Sequence, residues 1–267
     1  MGQTHRVTST IGATTLQPYV GRPGMEGRRW WPLPDRSRAP ALVATGGLSL
    51  LCGVVLAAVV AGDQAAAAAR DLPVNEWFRN LAVEGSILRQ IADAVSWIGS
   101  GSRTGPIVLV SAVVLVVLRQ WRWAVFLLVS AEVGYLISDA AKVLVGRQRP
   151  PWTDFGPLES GTSFPSGHTF GGMTAWVATG VVLWFLLPRA WSTVLGVGCW
   201  TLGLAQGPAR LFVGVHWLTD VVGGLLLGGG WLLVVSGVCL WCWGPVSGSA
   251  QPADQYAPSD SNPEPAD

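Results

Sequence analysis

Long apolar runs decide what this chain can become. A stretch of roughly 20 apolar residues has one stable home, a helix crossing a bilayer, because only there is the backbone satisfied without water. Six candidates occur, at about 41–62, 104–119, 123–145, 167–187, 191–210 and 217–243. The second is the shortest, pinched between Arg103 and Arg119. Short polar turns, Arg119 to Arg122 and Pro188-Arg189, join neighbouring runs as expected for antiparallel spans. Only 12% of residues are charged and half are apolar, which places the chain in the membrane class. The expected fold is all-α and polytopic, with six transmembrane helices. A net charge of +1 gives no reason to expect nucleic acid as a partner.

The flanks differ from the centre. Residues 1–39 carry six arginines against Glu26 and Asp35, and the residues after Trp243 carry four acids and no base. Neither flank has apolar periodicity, so a disordered basic tail (1–39), a membrane domain (40–243) and a disordered acidic tail (244–267) are expected. A long polar stretch precedes the first apolar run, which therefore reads as a retained anchor rather than a cleaved signal. With both tails cytoplasmic, nine basic residues fall inside and eight outside. Setting aside three outer ones assigned to chemistry below leaves nine against five, a plasma-membrane orientation with both termini inside. Many of the 15 tryptophans stand at span ends, as interfacial belts do.

Between the first two runs, Trp77, Leu81, Leu88, Ile91, Val95 and Ile98 recur near helical spacing. That predicts one amphipathic helix on the membrane surface or capping the bundle, with no evident catalytic residue. Gly224-x-x-x-Gly228 reads as a close-packing seam. Cys52, Cys199, Cys239 and Cys242 all fall in apolar runs and read as buried thiols; the Cys239-x-x-Cys242 pair has no second pair to make it a metal site.

Charged and polar residues gather in three places: Lys142 to Arg149-Pro150, Pro165-Ser166-Gly167-His168, and Arg210 to His216 and Asp220. In an antiparallel bundle the ends of spans three and five share a face with the starts of four and six, so all three clusters meet. Lys142, Arg149 and Arg210 would repel one another unless a polyanion such as phosphate lay between them. Pro165 suits the first turn of a helix, leaving the amides of Ser166, Gly167 and His168 for an oxyanion, and Gly167 leaves room for close approach. His216 and Asp220 are four apart and share a helix face, so the carboxylate holds one ring nitrogen protonated and the other is a nucleophile. His168 remains as general acid.

These three clusters, with their spacing, resemble the type 2 phosphatidic acid phosphatases and the related bacterial lipid phosphatases and vanadium haloperoxidases. The Lys-x6-Arg-Pro and Pro-Ser-Gly-His patterns are complete. In the third pattern Arg210, His216 and Asp220 are correctly spaced, but Ala209 stands where the family has serine. The resemblance covers roughly Trp97 to Trp243. It implies attack on phosphorus by His216 with Asp220 orienting it, a phosphohistidine intermediate, and protonation of the leaving oxygen by His168. It further implies phosphate binding by Lys142, Arg149, Ser166, Gly167 and Arg210, with no metal or other cofactor. The expected substrate is the phosphomonoester or diphosphate of a lipid, such as an isoprenoid diphosphate (undecaprenyl diphosphate) or phosphatidic acid, reached from membrane lipids at the extracytoplasmic face. Rivals are a lipid phosphotransferase with the same pocket, a haloperoxidase, and a scaffold impaired by Ala209. Asp139, three residues before Lys142, is expected to pair with it. Arg147 reads as a solvated loop arginine in preference to a phosphate ligand. Mid-span Glu132 is either functional or a protonated carboxyl bonded to a neighbouring helix.

Overall fold

The computed structural model describes residues 33–152 and 161–245. The expected tails lie outside these residues except at their inner edges, where a 3-10 turn at Arg36–Arg38 leads into the first helix. Among the described residues every regular element is helical: α1 (Ala39–Gly62), α2 (Gln64–Leu81), α3 (Ile87–Ile98), α4 (Gly101–Val117), α5 (Trp121–Val145), α6 (Gly167–Leu186), α7 (189–213) and α8 (Leu218–Trp243).

Among the described residues four helical stretches are long and apolar enough to cross a membrane: Arg36–Gly62, Trp121–Val145, Gly167–Leu186 and Leu218–Trp243. A fifth is reached only by counting α3 and α4 together, although they bend by 50° at Gly99-Ser100. The run expected at 104–119 is too short by itself, because α4 has 17 residues. Helix α7 is long but carries Gln206, Pro208 and Arg210 in its second half, which lower its hydropathy.

Close approach of backbones sets the packing. A Cβ at Gly46 of α1 would stand 2.7 Å from the Gly230 carbonyl of α8. The Gly224-x-x-x-Gly228 seam lies against the start of α6: a Cβ at either position would stand 2.9 Å from the carbonyl of Ser166 or Phe170 respectively. This draws the first turn of α6 against α8. Below it, Val108, Phe126, Leu127, Ala175, Val182 and Leu232 form the apolar core between α4, α5, α6 and α8.

The single amphipathic helix expected over Trp77–Ile98 is two. Ser86 caps the start of α3 by accepting from the Arg89 amide, and residues 82–86 separate it from α2. Of the apolar stripe, Trp77, Leu81 and Ile91 are exposed and Leu88, Val95 and Ile98 half-buried, while Asp71, Asn75, Arg89 and Ser96 are buried. The cysteines also differ from expectation: Cys52 and Cys242 are exposed on the apolar exterior, and all four are free.

Candidate active site

Two left-handed glycines launch the loops that carry the chemistry. Gly146 (φ 60°) ends α5 and releases Arg147 to Pro150; Gly214 (φ 81°) ends α7 and releases Val215 to Trp217. A third segment, 161–166, runs into α6. The three interlock at one end of the bundle. The Ser163 amide donates to the Arg147 carbonyl at 2.7 Å and the Ser166 amide to the Asp220 carbonyl at 3.0 Å. The Trp217 indole donates to the Gln148 carbonyl at 3.0 Å, and Arg149 Nη1 to the Val215 carbonyl at 2.9 Å. All three sequence clusters therefore do meet.

His216 lies at the centre, 1% exposed. Arg149 Nη1 stands 3.0 Å from its Nε2. A guanidinium can only donate, so Nε2 carries a lone pair and Nδ1 carries the hydrogen. On the Nδ1 side are Asp220 Oδ2 at 3.4 Å and Ser163 Oγ at 3.3 Å. Asp220 Oδ2 also accepts from the Ser163 hydroxyl and, at 2.9 Å, from the Trp217 amide. Burial pushes the imidazole down to about 4, outweighing Asp220, with Arg210 and Arg149 acting in the same direction as burial. The ring is thus neutral at physiological pH.

His168 Nε2 faces the Ser96 carbonyl at 3.1 Å, at the end of α3. A carbonyl only accepts, so that nitrogen holds a hydrogen and proton exchange falls to Nδ1. Lys142 Nζ lies 3.4 Å from Asp139 Oδ1 and beside Gly167, where a Cβ would stand 3.1 Å from it. Arg210 is buried at 3% exposure, and Pro150 and Pro165 are buried as well.

Several details depart from the sequence expectation. Pro165 is not in the first turn of α6: Ser166 is the cap, its hydroxyl accepts from Thr169, and its amide is spent on the Asp220 carbonyl. Gly167 and His168, not Ser166, supply first-turn amides. His216 is not on a helix face with Asp220; it precedes the cap residue Trp217, and Asp220 reaches back from the first turn of α8. Ala209 packs with Ala92 and Val213 against α3. Glu132 is exposed on the outer flank of α5, within a π turn at Val129–Val133, rather than aimed at a neighbouring helix.

Arg147 is the largest correction. It is 1% exposed, and Nη1 donates to Asp220 Oδ1 at 2.7 Å and to Thr219 at 2.6 Å, while Nη2 donates to Asp71 at 2.9 Å. The sequence reading missed Asp71, Asn75, Ser163 and Thr219 altogether. Two signals were present: Asp71 and Asn75 are four apart on an otherwise alanine-rich helix, and Ser163 stands three residues before Ser166. Among the described residues no three His, Cys, Asp or Glu side chains are grouped so as to hold a metal ion.

Comparison with known proteins places this geometry. A family model described as the PAP2 superfamily matches residues 123–243. An undecaprenyl-diphosphatase of Sulfolobus acidocaldarius is 29% identical over 48% of the chain and 60% of its own length, so this match spans less than two thirds of that relative. Phosphatidylglycerophosphatase B of Bacillus subtilis is 29% identical over 68% of the chain and 85% of its own. The crystal structure of a transmembrane PAP2-type phosphatidylglycerolphosphate phosphatase from Bacillus subtilis has the same fold, with a TM-score of 0.62 and 23% identity over 73% of this chain and 95% of that one. The matched segment contains Lys142, Arg149, His168, Arg210, His216 and Asp220, and over it the chain is similar to the PAP2 superfamily.

Proposed function

We propose that the chain is an integral membrane lipid phosphatase that works through a phosphohistidine. The match to the PAP2 superfamily model and two relatives named as phosphatases support a phosphoric ester hydrolase. One observation carries the residue assignment: His216 presents an unprotonated Nε2 to Arg149 at 3.0 Å while Asp220 lies on its Nδ1 side.

The Nε2 lone pair attacks phosphorus, forming the N–P bond as the ester or anhydride P–O bond breaks. His168 gives the leaving oxygen its proton. Water then attacks the phosphohistidine, His168 takes a proton from it, and phosphate leaves with Nε2 restored. Arg149, Arg210, Lys142 and the amides of Gly167 and His168 hold the phosphate oxygens; Ser166 holds the turn that aims those amides. Asp220 stabilises the positive ring of the intermediate, and the Ser163 hydroxyl and Trp217 amide fix that carboxylate.

The substrate is a lipid phosphate or diphosphate of the kind the relatives are named for. Headgroup chemistry at the end of an apolar bundle, with the tails left in lipid, supports that choice. Six spans are proposed, with α3–α4 as a bent second span and α7 as the fifth, shielded by its neighbours. Both termini are cytoplasmic in the plasma membrane and the pocket is extracytoplasmic, supported by the sequence count of nine basic residues inside against five outside once Lys142, Arg149 and Arg210 are set aside.

Purified protein with EDTA present should release phosphate from a panel of polyprenyl diphosphates, phosphatidylglycerophosphate and phosphatidic acid, and His216→Ala should not. Release by His216→Ala would defeat the mechanism, and transfer of phosphorus to an added acceptor in place of water would favour the phosphotransferase.

A further inference from the structure

Helix α2 lies outside the segment that the family model matches and carries none of its motifs, yet it reaches the nucleophile from behind. Asp71 and Asn75 share one face of it and are 2% and 0% exposed. Asn75 brackets the His216 loop: Nδ2 donates to the His216 carbonyl at 2.7 Å, and Oδ1 accepts from the Leu218 amide at 3.0 Å. Asp71 Oδ2 accepts from Arg147 at 2.9 Å and from the Thr219 hydroxyl at 2.6 Å. Arg147 also binds Asp220 at 2.7 Å, so one buried cation is shared by two carboxylates.

Sharing has an electrostatic result. Arg147, Asp71 and Asp220 together carry a charge of −1. With Asp71 holding part of the guanidinium, Asp220 keeps negative potential for the His216 ring. Were Asp71 neutral, Arg147 would cancel Asp220, and a ring turning positive as Nε2 bonds phosphorus would find no net counter-charge behind it.

We propose that Asp71 and Asn75 are positioning residues of this site: Asp71 acts through Arg147 to set the charge that Asp220 presents to His216, and Asn75 fixes the backbone on both sides of the nucleophile. The inference rests on His216 as nucleophile. The charged groups bearing on His216 are Arg149 from the loop after α5, Arg210 from α7 and Asp220 from α8, with Arg147 and Asp71 behind Asp220. Among the described residues, Lys142 and His168 are further titratable groups of the pocket.

Asp71→Asn keeps an oxygen for Arg147 and Thr219 and removes only the charge. It should lower kcat by roughly 10- to 100-fold, one to two steps of 1.36 kcal/mol, at unchanged KM. It should also move the acid limb of kcat/KM to lower pH, because losing a negative charge disfavours the imidazolium. Asn75→Ala removes no charge, so it should lower kcat without moving that limb. Wild-type kcat and an unshifted acid limb in Asp71→Asn would overturn the inference. If Asp71→Asn does not accumulate as folded protein, Asp71→Ser, which removes the same charge and keeps a small polar group, takes its place: a lower kcat with the limb shifted down supports the inference, and wild-type kcat with an unshifted limb overturns it. A wild-type enzyme with no His216-dependent release would instead defeat the proposed function, whatever the α2 variants do.

Discussion

An ion pair and an ion triad of one site face opposite surroundings. At the rim, Lys142 and Asp139 stand 3.4 Å apart, with side chains 30% and 69% exposed. Behind His216, Arg147 binds Asp71 and Asp220 at 2.9 and 2.7 Å, with every partner at 3% exposure or less. The rim pair is screened and loses little when broken. The buried cluster has exchanged hydration for mutual contacts, so removing one member strands the others. The rim can therefore be tuned for substrate, whereas the interior must be kept or replaced whole.

The sharpest way to break this comparison is Arg147→Ala, which leaves two buried carboxylates facing each other. A loss of about 3–5 kcal/mol is expected, read as a large drop in folded yield and melting temperature; a melting temperature near wild type would mean the cluster is not dry. Next comes pH. Folded His216 stays neutral down to about 4, whereas an unfolded imidazole protonates near its usual 6.5, so the unfolded chain binds more protons between those values. Stability should be full above pH 6.5 and fall by roughly 3 kcal/mol as pH drops toward 4; His216→Asn should flatten that slope in a thermal-shift series. On the rim, Lys142→Met should reduce kcat/KM by about 1.5–3 kcal/mol, the worth of a hydrogen bond to a charged group, with an unchanged melting temperature. Asp139→Asn should be smaller still, under about 1 kcal/mol in the same assay. Ala209→Ser should change least, because Ala209 packs against Ala92 rather than lining the pocket; a large gain in rate would reverse that assignment and revive the view that Ala209 impairs the chain.

Rim and interior also differed in how readable they were. Lys142, Arg149, His168, Arg210, His216 and Asp220 stood out because their spacing is local and each sits where a charge is costly beside a membrane span. Arg147 and Arg149 are two residues apart in one loop, and nothing local says which turns inward; the left-handed turn at Gly146 and the distant Asp71 decide it. Asp71 and Asn75 were hidden because their helix carries its apolar stripe on the outside, so the buried face looked like a solvated one. The long apolar runs were legible from hydropathy. The bend at Gly99-Ser100 was not, since it depends on packing: a Cβ at Gly99 would collide with the Gln206 side chain of α7.

The shared guanidinium has a consequence for biogenesis. Arg147 meets Asp71 across 76 residues of chain and Asp220 across 73, one before it and one after. As the polypeptide emerges, Arg147 first encounters only the earlier acid; the second arrives with the last helix. Until then the loop after α5 cannot close on its final partners, so His216 is set in place only once α8 has been made. An excised 123–243 fragment would hold Arg147 and Asp220 without Asp71 or Asn75. It would keep Lys142, Arg149, His168, Arg210, His216 and Asp220 and lack the backing that holds the His216 loop still.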